Sequence, residues 1–230
     1  MALSQLTVRE EAQSTPWFEQ YDPNRRLIRG KAYLRLKRAM DLFLCGLALP
    51  FLLVIFAVIA LLIKIESPGG PIFYRQQRTG RGGRRFGMYK FRTMVPNAEA
   101  MLKDIMHLNE LQWPDFKIKN DPRITRVGKI LRKTSLDELP QLLNVITGDM
   151  SLVGPRPTIF GKDLYISWHT ERLDVPQGLT GLWQIEGRAA TELDDRLRLD
   201  IAYMERASIW FDIIILLRTC LVVFTGRGAY

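Results

Sequence analysis

A single apolar run near the start of the chain constrains its fold more than any other feature. Residues 42–63, LFLCGLALPFLLVIFAVIALLI, carry no charge over 22 positions. As an α-helix this run would be about 33 Å long, enough to cross the roughly 30 Å hydrocarbon core of a bilayer. The sequence therefore predicts a membrane element.

The charges on either side of this run argue against a simple span. Seven Lys and Arg residues lie at positions 25–38 and eight more at positions 64–92. Because basic residues collect on the cytoplasmic side, a spanning helix would show a lopsided count. Pro50 lies inside the run, where proline removes a backbone donor and kinks a helix. We expect a re-entrant helix broken at Pro50; a single span with a tolerated proline and a buried soluble helix remain alternatives.

Overall charge narrows the classes of partner. The 230 residues carry a net charge of +9, which suits anionic lipids, phosphorylated substrates or nucleic acid. The membrane run favours the first two, and no recognised nucleic-acid motif is present, so we expect no nucleic-acid partner. The two cysteines lack metal-ligand spacing. The first residues have no signal-peptide pattern, so we expect the soluble bulk of the chain in the cytosol.

Periodicity and turn residues predict the elements beyond the apolar run. Two strands, at 72–75 and 86–91, are joined by a Gly/Arg loop. Helices are expected at 97–111, 125–132, 136–146 with Gly148 as the stop, 193–204 and 208–225. The last helix has one polar face, which favours a position at the membrane interface, with a core helix as the alternative. That face consists of Glu205, Ser208, Asp212 and Thr219.

The segment KTSLDELP is the strongest candidate for chemistry. Ser135 and Glu138 match an S-x-x-E capping box, which is a purely structural interpretation. The functional interpretation is that Asp137 and Glu138 lie at a helix start amid basic residues, which keeps a carboxylate ionised and gathers phosphates. An ionised Asp can attack phosphorus, and a neighbouring carboxylate can hold Mg²⁺.

Two further motifs could contribute to a site. Arg156 lies between prolines in GPRP, where it could present a stiffly held guanidinium to a phosphate or form a rigid solvated turn. GLTGLWQ, followed by Gly187 and Arg188, could form a pocket wall, although this pattern alone is weakly specific.

Five stretches occur together in order: KRAMDLF, GPIFYRQQRTG, YKFRTM, DPRITRVGKILRKTSLDELPQLLNVITGDMSLVGPRP and GLTGLWQIEGR. In this combination the chain resembles the bacterial sugar transferases known as monotopic phosphoglycosyl transferases, in their short form, from about position 31 to 225. The resemblance implies an α/β, mostly α, fold with a re-entrant membrane helix hairpin, interfacial amphipathic helices and a small cytosolic catalytic domain. The expected division is a tail at 1–30, the basic flank and membrane helix at 31–66, and the catalytic domain with interfacial helices at 67–230.

The resemblance also implies an activity. Family members transfer a sugar 1-phosphate from a UDP-sugar to undecaprenyl phosphate, giving UMP and an undecaprenyl-diphosphate sugar, the first step of exopolysaccharide, capsule or O-antigen assembly. It implies Mg²⁺ as cofactor, contacts with membrane lipids, and a place at the bacterial inner membrane with the catalytic domain on the cytoplasmic face. Which sugar is used, and whether the chain forms a homo-oligomer, stay open.

Roles carry over residue by residue. Asp137 matches the family nucleophile and Glu138 the second acid, and the two are the expected Mg²⁺ ligands. The expected substrate-binding residues are Lys90, Arg92, Arg132, Arg156, Gln184 and Arg188. Lys37, Arg38, Asp41 and Pro50 match the positions that anchor the membrane helix.

One departure from the family concerns the bend. Many members break the helix with Ser-Pro, whereas this chain has Leu49-Pro50. Without the serine hydroxyl, the carbonyl freed by proline lacks a local partner in the bilayer, so the bend angle here need not match that of the family. The competing hypothesis for the whole chain is a non-enzymatic polybasic membrane adaptor of a polysaccharide assembly complex.

Overall fold

The computed structural model describes residues 30–110, 118–159, 167–186 and 193–225. Within them the protein is mostly helical, with two small sheets, which confirms the predicted mostly-α class of α/β fold. The named elements in chain order are α1 (Lys31–Glu66), β1 (Phe73–Thr79), β2 (Arg85–Phe91), α2 (Leu102–Ile105), α3 (Arg126–Lys133), α4 (Gln141–Thr147), β3 (Met150–Val153), β4 (Gln177–Thr180), α5 (Leu182–Glu186), α6 (Leu193–Arg206) and α7 (Ile209–Thr225).

Helix α1 is long and apolar enough to cross a membrane, and it is the one helix in the described part of the chain that passes this test. Helix α1 continues through Pro50 without interruption, so proline does not end a helix here. The bend predicted at Pro50 stays a prediction. Both ends of α1 are anchored in the rest of the protein, through buried side chains such as Cys45 and Ile59. Between these two residues no side chain is buried. The middle of α1 therefore has no buried side chain, and most of its apolar surface is exposed.

Strands β1 and β2 form an antiparallel hairpin, as predicted, although β1 extends four residues further than expected. Phe73 pairs with Phe91 at the open end and Thr79 with Arg85 at the turn. The Phe91 ring stacks on Phe73 and meets Phe56 of α1 edge to face. This aromatic cluster joins the second half of α1 to the hairpin.

The helix predicted over 97–111 is much shorter than expected. Only α2 and a 3₁₀ turn, Met106–Leu108, are helical within 97–110. Tertiary contacts explain the difference: the Val95 N–H donates to the Arg123 carbonyl, and the Ala98 carbonyl accepts from the Arg123 guanidinium. Bonds to a distant segment thus compete with the helical pattern at its start.

Helix α3 begins as predicted. The Thr125 hydroxyl accepts a hydrogen bond from the Gly128 N–H, a standard N-cap. The carboxylate of Glu66, at the end of α1, accepts from the N–H groups of Arg126 and Val127 at 2.7 and 2.9 Å. The last residue of α1 therefore caps α3.

The helix predicted over 136–146 is divided in two. A 3₁₀ turn, Leu136–Glu138, precedes α4, which starts after Pro140. Proline lacks the N–H that would continue the helical ladder, which is the physical reason for the division. Gly148 ends α4 in the left-handed conformation, with φ of 91°, which confirms the predicted stop.

Strands β3 and β4 pair in parallel and lie at the centre of the domain. The backbone of Gly154, directly after β3, lies unusually close to Gly178 of β4, since a Cβ atom on Gly178 would lie 2.1 Å from the Gly154 nitrogen. Glycine is thus sterically required at this contact. The main core surrounds this pair and contains Cys45, Phe86, Met88, Val145, Met150, Leu152, Val153, Leu182, Tyr203, Met204, Ala207 and Ile215.

Helices α6 and α7 occupy the predicted positions. Two residues of the predicted polar face point into the protein: Asp212 is fully buried, and the Thr219 hydroxyl bonds to that of Thr180 at 2.7 Å. Glu205 instead lies on α6 and is exposed, so it does not belong to this face. Three large apolar side chains of α7, Trp210, Leu217 and Leu221, are 63 to 71 % exposed. This arrangement leaves an apolar surface outward, as the interfacial interpretation requires, while the buried half of α7 belongs to the core.

Candidate active site

Asp137 and Glu138 lie on the 3₁₀ turn between α3 and α4. The chain enters this turn through Ser135, whose φ of 57° places it in the left-handed region. The Ser135 side chain makes no capping hydrogen bond, and Glu138 bonds to other partners. The capping-box interpretation is therefore wrong, and the two acids serve something other than the helix start.

Glu138 is held by two cations. Lys90, on β2, approaches its carboxylate at 2.8 Å, and Arg156 donates to both oxygens, one at 3.0 Å. Burial by itself would raise the pKa of Glu138, but attraction to Arg156 and Lys90 outweighs it and holds that pKa well below its ordinary range. Glu138 is thus ionised, and its carboxylate is paired with Lys90 and Arg156.

Asp137 is differently placed. Its side chain makes no hydrogen bond within the described residues, and its nearest cation is Lys90, at 4.0 Å. Burial raises the pKa of Asp137, opposed by the charge of Lys90 and reinforced by that of Glu138, with Arg132 and Arg156 as further opposing charges. The carboxylate therefore keeps its lone pairs available in a cationic environment.

Arg132 and Gln184 complete the predicted cluster. The Arg132 Nε donates to the Thr93 hydroxyl at 2.9 Å, with its charge still acting on Asp137. Gln184 donates to the Leu179 carbonyl at 3.3 Å, and Arg156 reaches the same carbonyl at 3.5 Å. The GLTGLWQ motif therefore contacts Arg156 of the GPRP motif.

Arg78 is a member of this site that sequence analysis missed. It donates to the Pro157 carbonyl at 3.4 Å and to Gln76 at 2.6 Å. Burial lowers the pKa of Arg78 to about 10, and the like charge of Arg156 acts in the same direction. Strand alternation places Gln76 and Arg78 on one face of β1, but only the tertiary structure brings that face to Arg156. Four cations, Lys90, Arg132, Arg156 and Arg78, therefore act on two carboxylates, an excess that suits a polyanionic ligand.

One predicted substrate-binding residue, Arg92, lies apart from this cluster. The Arg92 guanidinium bonds to the Ser67 carbonyl, just past the end of α1, and its contacts include neither carboxylate. Arg188 lies outside the described residues.

The predicted anchoring residues tie α1 to the domain. Lys37 is buried against Asp212 at 2.6 Å, and Arg38 donates to the carbonyls of Val145 and Ile146 at the end of α4. Asp41 accepts from the Ser151 hydroxyl at 2.7 Å and from the Leu152 N–H at 3.1 Å. The first half of α1 is therefore bonded to α4, β3 and α7.

The donor set can be compared with what a metal requires. No group of three or more metal-binding side chains occurs in the described part of the chain. Mg²⁺, however, is commonly held by one or two carboxylates together with substrate phosphates. Asp137 and Glu138 offer the hard oxygen donors of such a site, with Asp137 the freer of the two because Glu138 is ion-paired.

Comparison with known proteins places the chain in a family. The family model described as "Bacterial sugar transferase" matches residues 32–226. This match covers α1, both sheets, the cationic cluster and α7. The chain belongs to the bacterial sugar transferase family.

Similar curated proteins come from several bacteria. The chain is 47% identical to the undecaprenyl-phosphate galactose phosphotransferase of Salmonella typhimurium over 75% of its own length and 37% of that protein's. It is 40% identical to the UDP-glucose:undecaprenyl-phosphate glucose-1-phosphate transferase of Escherichia coli K12, over 85% and 41% respectively. With the exopolysaccharide production protein ExoY of Rhizobium meliloti it shares 40% identity over 84% of this chain and 88% of that protein. The chain thus spans less than half the length of the first two relatives.

Proposed function

We propose that this chain transfers a sugar 1-phosphate from a UDP-sugar to undecaprenyl phosphate, releasing UMP, as the initiating step of exopolysaccharide, capsule or O-antigen synthesis. The observation that carries the proposal is the buried Asp137 carboxylate, without a hydrogen bond among the described residues and surrounded by cations. The names of the Salmonella and Escherichia coli relatives support the acceptor, and the latter supports the donor class.

The reaction has two displacements at phosphorus. An oxygen of Asp137 attacks the β-phosphorus of the UDP-sugar, and the bond from that phosphorus to the bridging oxygen breaks, so that UMP leaves with the electron pair. The product on the protein is an acyl phosphate that carries the sugar. An oxygen of the lipid phosphate then attacks the same phosphorus, which expels the Asp137 carboxylate unchanged and completes the diphosphate.

The surrounding cations offset the charge that this chemistry gathers. A carboxylate attacking a diphosphate brings negative groups together, which is favourable only among fixed positive charges. Lys90, Arg132 and Arg156 all act on Asp137, and Arg78 acts on Glu138. Glu138 holds Lys90 and Arg156 in place, so we assign it a positioning role toward both.

Mg²⁺ is proposed as the cofactor. Asp137 and Glu138 would hold it together with donor phosphates, and when bound it would neutralise phosphate charge. The residues of the chain would still orient the nucleophile and the diphosphate.

We further propose that α1 is re-entrant, with the site on the cytoplasmic face of the bacterial inner membrane. A straight helix would hold Arg38 and Glu66 about 42 Å apart. Both bond instead to one short segment, residues 126–146, and the middle of α1 is unburied. Two ends on one domain and an exposed apolar middle support a helix that dips into the bilayer and returns. This would keep Asp137 at the level of the lipid phosphate.

Cysteine accessibility tests the topology. In a Cys220→Ser background, Lys31→Cys and Gly69→Cys would be labelled singly with a membrane-impermeant maleimide. We expect both to react in inverted vesicles and neither in intact cells. Reaction of one of them in intact cells would identify a single span and contradict the re-entrant arrangement.

UMP release tests the reaction. Purified protein would be incubated with Mg²⁺, undecaprenyl phosphate and a panel of UDP-sugars, with Asp137→Asn alongside. We expect release with at least one sugar and none from Asp137→Asn, whose shape is nearly unchanged. Mass spectrometry of wild-type protein given donor alone should show the added sugar phosphate.

The result also separates the two functional hypotheses. Turnover retained by Asp137→Asn would remove Asp137 as nucleophile. No release with any donor, combined with salt-sensitive binding to anionic vesicles that is indifferent to Asp137, would favour the polybasic adaptor.

A further inference from the structure

Another buried ion pair contacts the backbone of Arg156. Arg172, on the 3₁₀ segment Ser167–Leu173, and Asp200, on α6, approach to 2.6 Å, and both side chains are 2 % exposed. Neither residue belongs to the cluster around Asp137 and Glu138, and neither belongs to a motif singled out from the sequence. Their contacts with the backbone of Arg156 indicate that they act through that residue.

The pair forms hydrogen bonds with both backbone polar groups of Arg156. The Arg172 guanidinium donates to the Arg156 carbonyl. The Asp200 carboxylate accepts a hydrogen bond from the Arg156 backbone N–H. Within Pro155-Arg156-Pro157 this N–H is the only backbone donor, because proline has none. Both backbone groups of Arg156 are thus bonded by one ion pair.

The flanking prolines further limit the backbone freedom of Arg156. A residue before proline is restricted to extended conformations, and Pro157 imposes this restriction on Arg156. With backbone torsions limited and both polar groups bonded, the remaining freedom of Arg156 lies in its side chain. That side chain bonds to both oxygens of Glu138 and is 23 % exposed, so it can still meet a ligand.

Stability alone is a poor explanation for the pair. Burying two charges costs several kcal/mol of desolvation per ion, and replacing a buried pair by apolar residues is often neutral or stabilising. In addition, the Arg172 Nε and Nη1 and the Asp200 Oδ1 have no hydrogen-bond partner in the described structure. The pair is therefore better explained by what it holds.

We infer that Arg172 and Asp200 are positioning residues that fix Arg156 for binding the donor diphosphate. This inference rests on the proposed function. It predicts that the pair affects donor binding through Arg156 and has no separate contribution to it. A purely structural pair would instead lower activity in proportion to the loss of folded protein.

The test replaces both charges together. The double variant Arg172→Met with Asp200→Leu removes the pair without leaving a lone buried charge, so folding should be retained. We expect its KM for the UDP-sugar to rise about tenfold with kcat changed less than about threefold, the signature of lost binding that is shared by ground and transition states. Thermal unfolding would verify that the variant is folded.

A cycle with Arg156 distinguishes positioning from general damage. Arg156→Ala alone should raise KM, and adding the double replacement should raise it no further. The matched control is the buried Arg123–Asp121 pair, also at 2.6 Å, whose guanidinium bonds to the Ala98 carbonyl. Any effect of Arg123→Met with Asp121→Leu should be the same with and without Arg156.

Three outcomes would overturn the inference. One is a folded double variant with wild-type KM, and another is an effect that adds fully to that of Arg156→Ala. If the double variant fails to fold, Arg172→Met with Asp200→Asn takes its place, since it also removes the guanidinium that bonds to the Arg156 carbonyl and leaves no lone buried charge. An unchanged KM in that variant would be the third. Failure of the proposed function is recognised separately, because wild-type protein would then release no UMP.

Discussion

Replacement of Lys90 by methionine probes how the site keeps its nucleophile ionised. Lys90 lies 4.0 Å from the Asp137 carboxylate and 2.8 Å from that of Glu138. Only an ionised Asp137 can attack phosphorus, and burial already raises its pKa. Removing the nearest cation should raise that pKa further and thereby narrow the pH range of activity from the acid side.

The structure sets the size of the effect. Two unit charges 4 Å apart interact by about 4 kcal/mol at an effective dielectric constant of 20 and by about 1 kcal/mol in water. The Lys90 and Asp137 side chains are 19 % and 12 % exposed, between these limits. An interaction of about 1–2 kcal/mol corresponds to a pKa change of roughly one unit. In Lys90→Met the acid limb of kcat/KM for the donor should therefore move up by about one pH unit.

The assay is initial-rate UMP release across pH, with kcat/KM taken for the UDP-sugar. This ratio reports ionisations of the free enzyme and donor, and in a two-step displacement the acceptor phosphate does not enter it. Lys90→Arg, which keeps the positive charge, is the control and should leave the acid limb near its wild-type position. If Lys90→Met lowers activity equally at every pH, Lys90 acts on the substrate, and the electrostatic argument is refuted.

Two further predictions concern the attachment and shape of α1. Asp41→Ala removes a buried carboxylate that accepts two hydrogen bonds from β3. In denaturant unfolding of the detergent-solubilised protein we expect a loss of about 3 kcal/mol, and a smaller loss for Asp41→Asn. Equal stability of the wild-type protein and both variants would contradict the anchoring role. Pro50→Ala restores the missing N–H and should favour a straight, spanning α1, so that a cysteine at position 31 becomes reactive in intact cells. If that cysteine stays unreactive, proline alone does not set the topology.

Much of the local structure could be predicted from the sequence because its causes are local. The uncharged run at 42–63 specifies an apolar helix, and the Thr125 cap and left-handed Gly148 delimit α3 and α4. The alternating residues of the hairpin predicted β1 and β2. The DELP and GPRP motifs identified Asp137, Glu138 and Arg156 as candidate site residues.

Tertiary structure alone decided the partners of these residues. Glu138 resembles a capping residue in sequence, yet it bonds to Lys90, 48 positions away, and to Arg156, because a charge-assisted bond to a guanidinium is stronger than a neutral cap. The roles of Arg78, Arg172 and Asp200 are also invisible in the sequence. Their side chains converge on the GPRP segment only after distant elements have packed, since a buried charge must find its partner wherever the fold brings one.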